Sequence, residues 1–140
     1  MSNSQPASKV LLVEDNPDDE SLTLRGLRSI EPQPITYIAR DGALAVEWLE
    51  ANLLVERPQL VLLDLKLPKL NGKEVLQTLL TLDGGDSVPV VVFSSSDDRE
   101  EISACMALGA RSYKRKPIDF DEYLKTVQEV AREFLCSSGR

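Results

Sequence analysis

The 140-residue sequence predicts an α/β fold, a doubly wound five-stranded parallel sheet with helices on both faces. Three observations predict it. Five short apolar runs recur along the chain: Val10–Val13, Ile35–Ala39, Leu60–Leu63, Val88–Phe93 and the weaker Ser112–Arg115. The middle runs are apolar almost throughout rather than alternating, as strands are when both faces of a parallel sheet are covered. Segments with helical apolar spacing fill the intervals, and strict strand–helix alternation calls for parallel strands joined by right-handed crossovers. The length suits one domain with one sheet.

In chain order, residues 1–8 are polar, with neither a basic stretch nor an apolar one. They read as a flexible tail rather than a signal peptide. After the first run, Asn16-Pro17 supplies an N-cap and a first helical residue, and Leu22, Leu27 and Ile30 form the stripe that follows. The second run leads to Asp41 as a cap, then to a stripe of Leu44, Trp48 and Leu49. The third leads to Val75, Leu76, Leu79 and Leu80. After the fourth, Asp98 caps a helix carrying Ile102, Cys105 and Met106, and Gly109 ends it. The last stripe is the strongest: Phe120, Tyr123, Leu124, Val127, Ala131, Phe134 and Leu135. The domain is expected to span 9–136, with 137–140 as a second flexible tail.

Composition narrows the chemistry. With 16 Lys+Arg against 23 Asp+Glu the net charge is −7, which argues against a grip on nucleic acid. The chain has no His, so it holds no His-based triad, imidazole metal site or His phospho-carrier. No apolar run approaches the roughly 18 residues of a membrane span. Cys105 and Cys136 fit no metal-ligand spacing and read as reduced thiols of a cytoplasmic protein. Carboxylates, hydroxyls, lysines and backbone remain.

In such sheets ligands bind beyond the carboxyl ends of the strands. There the sequence places Glu14-Asp15, Asp64, Ser94-Ser95-Ser96 and Lys116-Pro117, after the first, third, fourth and fifth runs. Carboxylates brought together repel, and a hard divalent cation such as Mg2+ relieves them with oxygen ligands. Lys116 adds a second positive charge and Ser94 a hydrogen-bond donor. Taken singly each residue reads as a cap or a solvated loop charge. Together they suit an Asp nucleophile that takes a phosphoryl group, whose oxygens need cationic partners. A nucleotide site of the doubly wound kind needs a Gly/Ser/Thr-rich first loop, whereas Glu14-Asp15-Asn16-Pro17-Asp18-Asp19 repels phosphate. An Asp-nucleophile phosphatase carries a second acid two residues after the nucleophile, where this chain has Lys66.

These residues resemble the receiver domain of bacterial two-component response regulators, including the stand-alone chemotaxis type. The matching motifs are Val13-Glu14-Asp15-Asn16, Asp64-Leu65-Lys66-Leu67-Pro68 with Gly72, Ser94-Ser95-Ser96, Gly109-Ala110 and Lys116-Pro117. Thirty residues separate Asp64 from Ser94, and twenty-two separate Ser94 from Lys116. The resemblance implies a (βα)5 flavodoxin-like receiver fold with Asp64 as phospho-acceptor. It implies Asp15 as a direct Mg2+ ligand, Glu14 acting through water, and Asp64 and the Lys66 backbone carbonyl completing the set. Ser94 is implied as the hydroxyl that moves to the phosphoryl group, Lys116 as its ion-pair partner, and Tyr113 as a rotating aromatic that reports the change. A cis Lys116–Pro117 bond is implied as well.

A narrower resemblance rests on Arg40-Asp41-Gly42, Leu65-Lys66-Leu67-Pro68, Ser112-Tyr113 and Arg115-Lys116-Pro117-Ile118-Asp119-Phe120. It is to the small receivers that partner bacterial phytochromes and related sensor histidine kinases. Lys114 departs from that pattern with a charge on an edge strand, where relatives are apolar; this leaves the family's homodimer open. Arg132–Cys136 lacks the relatives' extra aromatics.

The expectation is a single-domain, Mg2+-dependent response regulator that accepts a phosphoryl group from a sensor histidine kinase on Asp64. It would catalyse only its own phosphorylation and dephosphorylation, and act on a downstream protein or phosphotransfer partner by contact, with neither nucleic acid nor membrane as partner. The face expected to change comprises the fourth helix, fifth strand and fifth helix. Lys66, near the path of an attacking water, is expected to slow dephosphorylation. The rivals are a pseudo-receiver binding module that is never phosphorylated and a free-standing phosphatase.

Overall fold

The computed structural model describes residues 7–135. Its elements run β1 Lys9–Val13, α1 Pro17–Arg28, β2 Ile35–Ala39, α2 Gly42–Asn52, β3 Leu60–Leu63, α3 Gly72–Thr81, β4 Val90–Ser94, α4 Arg99–Ala107, β5 Ser112–Arg115 and α5 Phe120–Leu135. The five strands form one parallel sheet in the order β2-β1-β3-β4-β5. The chain therefore winds outward in both directions from β1, and the (βα)5 doubly wound expectation holds.

Successive residues of a strand face opposite ways, and the two cores divide accordingly. Leu11, Val13, Val61, Leu63, Val90 and Val92 pack against α2, α3 and α4 through Ala45, Leu49, Val75, Leu79 and Cys105. Val10, Leu12, Leu60, Leu62, Val91 and Phe93 pack against α1 and α5 through Leu27, Tyr123, Val127 and Ala131. Two covered faces explain the continuous apolar runs of the inner strands.

The predicted caps are in place. Asn16 Oδ1 accepts from the N–H groups of Asp18 and Asp19, Asp41 caps α2, Asp98 caps α4, and Gly109 closes α4 at φ 101°. Some expectations shift. The fourth strand begins at Val90, not Val88, because the Val88 N–H closes a 3-10 turn onto Gly85 and Pro89 has no N–H to offer a ladder. Leu44 is 47% exposed; the buried face of α2 is Ala45 and Leu49, continued by Leu53. Leu80, Met106 and Phe120 are exposed as well.

The Ser8 carbonyl already accepts from the Ile35 N–H, ahead of β1. Most of the first tail, the second tail and Cys136 lie outside the described residues. Among the described residues no helix is long and apolar enough to cross a membrane.

Candidate functional site

The carboxyl edge of the sheet is pinned by backbone hydrogen bonds that continue three of its four ladders one step. The Glu14 N–H donates to the Ala39 carbonyl at 3.0 Å, the Asp64 N–H to the Val13 carbonyl at 3.1 Å, and the Lys116 N–H to the Ser94 carbonyl at 2.7 Å. With the β3–β4 pairing between the two groups, the ends of β1, β3, β4 and β5 lie along one edge, where the residues that follow them gather. The loop after Asp64 folds back until Gly72 donates to the Leu65 carbonyl at 2.9 Å. A Cβ at Gly72 would sit 2.6 Å from the Asp64 carbonyl oxygen, so this approach requires glycine.

Glu14, Asp15 and Asp64 each offer a carboxylate oxygen to a cluster whose members lie within 4.8 Å of one another. Glu14 and Asp64 are buried, and Asp15 is exposed at the rim. The Lys116 ammonium donates to Glu14 Oε1 at 2.8 Å, to Asp19 Oδ2 at 2.8 Å and to Asp64 Oδ2 at 3.4 Å. The other Asp64 oxygen accepts from the Leu65 N–H at 2.8 Å. Burial, helped by the Asp64 charge and only partly opposed by the Lys116 hydrogen bond, pushes the Glu14 carboxyl up to about 7. Burial works against the charge on Lys116, but the bonds to Asp19 and Glu14 and the Asp64 charge outweigh it, so its pKa lies above the ordinary lysine value.

The cluster is short of positive charge: the ammonium of Lys116 meets Glu14, Asp19 and Asp64, and Asp15 adds a further carboxylate beside Glu14 and Asp64. Oxygen donors at this spacing, one of them held reluctant to ionise, fit a hard divalent cation such as Mg2+. An open cleft of about 500 Å³ leads to them, lined by Asp15, Asn16, Asp19, Asp64, Lys66 and Lys116 among others. Lys66 stands exposed at its edge.

Ser94 is buried at the end of β4, and its hydroxyl accepts from the Ser96 N–H at 3.2 Å. Tyr113 on β5 is half-buried and donates to the Ser96 carbonyl at 2.9 Å, so it is tied to the loop that Ser94 begins. The expected cis bond at Lys116–Pro117 is a correction. The cis bond among the described residues is Glu31–Pro32, and Lys116–Pro117 is trans, the ordinary preference. Trans geometry still lets the Lys116 backbone join β4 and its side chain reach the acids.

Reading the sequence alone assigns no role to Asp19. It sits in the first turn of α1, where an acid reads as a complement to the helix dipole. Only the folded arrangement brings β5's following residue, Lys116, within 2.8 Å of it.

Comparison with known proteins bears on both resemblances. The response regulator receiver domain family matches residues 10–128. Response regulator Rcp1 of Synechocystis sp. is 33% identical over 130 residues, covering 91% of this chain and 88% of Rcp1. The crystal structure of the Mn2+-bound form of Rcp1 matches with a TM-score of 0.86 and 30% identity, over 94% of this chain and 97% of that one. The phosphorylated cyanobacterial phytochrome response regulator RcpA matches with a TM-score of 0.85 and 30% identity, over 96% and 98%. A probable methanogenesis regulatory protein, FilR2 of Methanothrix harundinacea, is 32% identical over 128 residues, 90% of this chain and 83% of its own.

Proposed function

The chain belongs to the response regulator receiver family, and from that premise we propose that it is a phospho-acceptor switch whose acceptor is Asp64. Receiver domains are signalling modules that partner with histidine kinases and bind Mg2+ at an acidic pocket. The observation that carries the reading is the convergence of Glu14, Asp15 and Asp64 on one cluster with the Lys116 ammonium directed into it.

In the proposed reaction an Asp64 carboxylate oxygen attacks the phosphorus of a kinase phospho-imidazole. A P–O bond forms, the P–N bond breaks, and the imidazole nitrogen keeps the electron pair and takes a proton. The Leu65 N–H holds one Asp64 oxygen, which leaves the other turned toward Lys116 and the incoming group. Glu14, Asp15, Asp64 and the Lys66 carbonyl would hold Mg2+, which supplies positive charge to the phosphoryl oxygens. Lys116 supplies further charge from the end of β5, and Ser94 needs only to exchange its bond with the Ser96 N–H for one to the phosphoryl group. Because Tyr113 bonds the carbonyl of that same Ser96, movement of Ser94 disturbs Tyr113 and the α4–β5–α5 face. The partner proposed for the donor step is a sensor histidine kinase of the bacteriophytochrome kind, on the likeness to RcpA, a phytochrome response regulator. The setting proposed is the cytoplasm, and hydrolysis of the acyl phosphate resets the switch.

The test is intact mass after incubation with a small phosphodonor and Mg2+, beside Asp64→Asn. One phosphoryl adduct in the parent, absent in the variant and absent without Mg2+, is expected. No adduct under any condition would instead indicate a binding module, and turnover of an external substrate a phosphatase.

A further inference from the structure

Lys116 shares its ammonium unequally. Its contacts to Asp19 and Glu14 are both 2.8 Å, whereas that to Asp64 is 3.4 Å. The three acids also differ in what they lose by letting go. The Glu14 and Asp64 side chains are 3% and 10% exposed, so each would be left as an unpaired buried charge. The Asp19 side chain is 28% exposed and lines the open cleft, so water replaces the ammonium at small cost. The backbone of Asp19 stays put meanwhile: its N–H donates to Asn16 Oδ1 at 3.0 Å, and its carbonyl accepts from the Tyr123 hydroxyl at 3.4 Å. That hydroxyl is itself 3.0 Å from Thr23 Oγ1 on α1. Release therefore needs only a turn of the Asp19 side chain.

We propose that Asp19 is a positioning residue that holds the Lys116 ammonium back from Asp64 in the unphosphorylated protein and yields it to the phosphoryl group. The inference rests on the phospho-acceptor reading above and concerns its regulation. A phosphoryl group carries nearly two negative charges and outbids a single carboxylate for Lys116. Asp19 works against that exchange twice, as a competitor for the lysine and as a like charge beside the phosphoryl oxygens. Its presence keeps the resting state from passing easily into the modified one.

Beryllofluoride, a phosphoryl-like anion, measures this as an equilibrium. With Mg2+ saturating, Asp19→Asn is expected to bind it at least threefold more tightly than the parent, and Asp19→Glu to return to the parent's affinity. Asp19→Ser serves as a second neutral variant should Asn perturb the first turn of α1. In the absence of anion, the Lys116 side-chain ammonium resonance is expected to shift in the neutral variants and not in Asp19→Glu. A role confined to stabilising α1 would lower unfolding stability and leave or weaken anion affinity. Equal or weaker binding by both neutral variants, while the parent binds, overturns the proposal and leaves the phospho-acceptor reading standing. Failure of the parent to bind overturns both.

Discussion

At the scale of single residues, the proposed chemistry turns on which charges stand near Asp64. Lys66 lies two residues beyond Asp64, exposed in the lining of the cleft that opens onto Asp64, the way in for a hydrolytic water in the proposed switch. A cation there would attract the phosphoryl oxygens of a modified Asp64 and crowd that approach. Lys66→Asn is therefore expected to lose its phosphoryl group about threefold faster, a barrier change of roughly 0.7 kcal/mol. The decay of phosphorylated protein after donor removal measures it, and an unchanged half-life would count against the role. Most of the cluster was readable beforehand because one rule, that function gathers at strand carboxyl ends, points at Glu14, Asp15, Asp64, Ser94 and Lys116 together. Asp19 escaped that rule because it lies on a helix rather than at a strand end. Its local meaning, an acid in a first turn, hides a tertiary one.

At the scale of elements, the strands and caps were legible because their signals are local. Leu60–Leu63 reads as a buried strand from its own composition, and Asn16-Pro17 starts a helix by its own hydrogen-bonding capacity. The stripes were less legible. Which residue of α2 faces the sheet depends on how the helix rolls against it, and the small Ala45 rather than Leu44 takes the close contact. The start of α1 links element to site, since the Asn16 cap orders the turn that carries Asp19. Asn16→Ala removes the acceptor for two N–H groups and is expected to cost about 1 kcal/mol. Urea unfolding should show a lower midpoint with an unchanged slope. Loss below about 0.3 kcal/mol would mean that water caps this turn equally well.

At the scale of the whole molecule, the site sets a conflict between folding and the proposed function that bound Mg2+ would resolve. The Glu14 carboxyl rises from 4.5 to about 7 because the fold buries it beside Asp64. A raised acid pKa means the folded state holds the proton more tightly than the unfolded chain. Without metal, Glu14's contribution to stability is fully present below pH 4.5 and is lost as pH rises through about 7. Metal binding at the proposed site would need the carboxylate, so Mg2+ affinity is expected to move the opposite way, rising with pH and levelling above about 7. Thermal unfolding with and without Mg2+ at pH 5.5 and pH 8 separates the two trends. At about 100 times the dissociation constant, Mg2+ is expected to stabilise by roughly 2.7 kcal/mol, a rise in Tm on the order of 10 °C. At fixed Mg2+ the rise is expected to be larger at pH 8 than at pH 5.5. Glu14→Gln isolates the group: it should remove most of that pH dependence and raise the stability of the metal-free protein at pH 8, where the buried charge is gone. A variant whose Mg2+ stabilisation keeps the parent's pH dependence would show that another carboxylate of the cluster holds the proton.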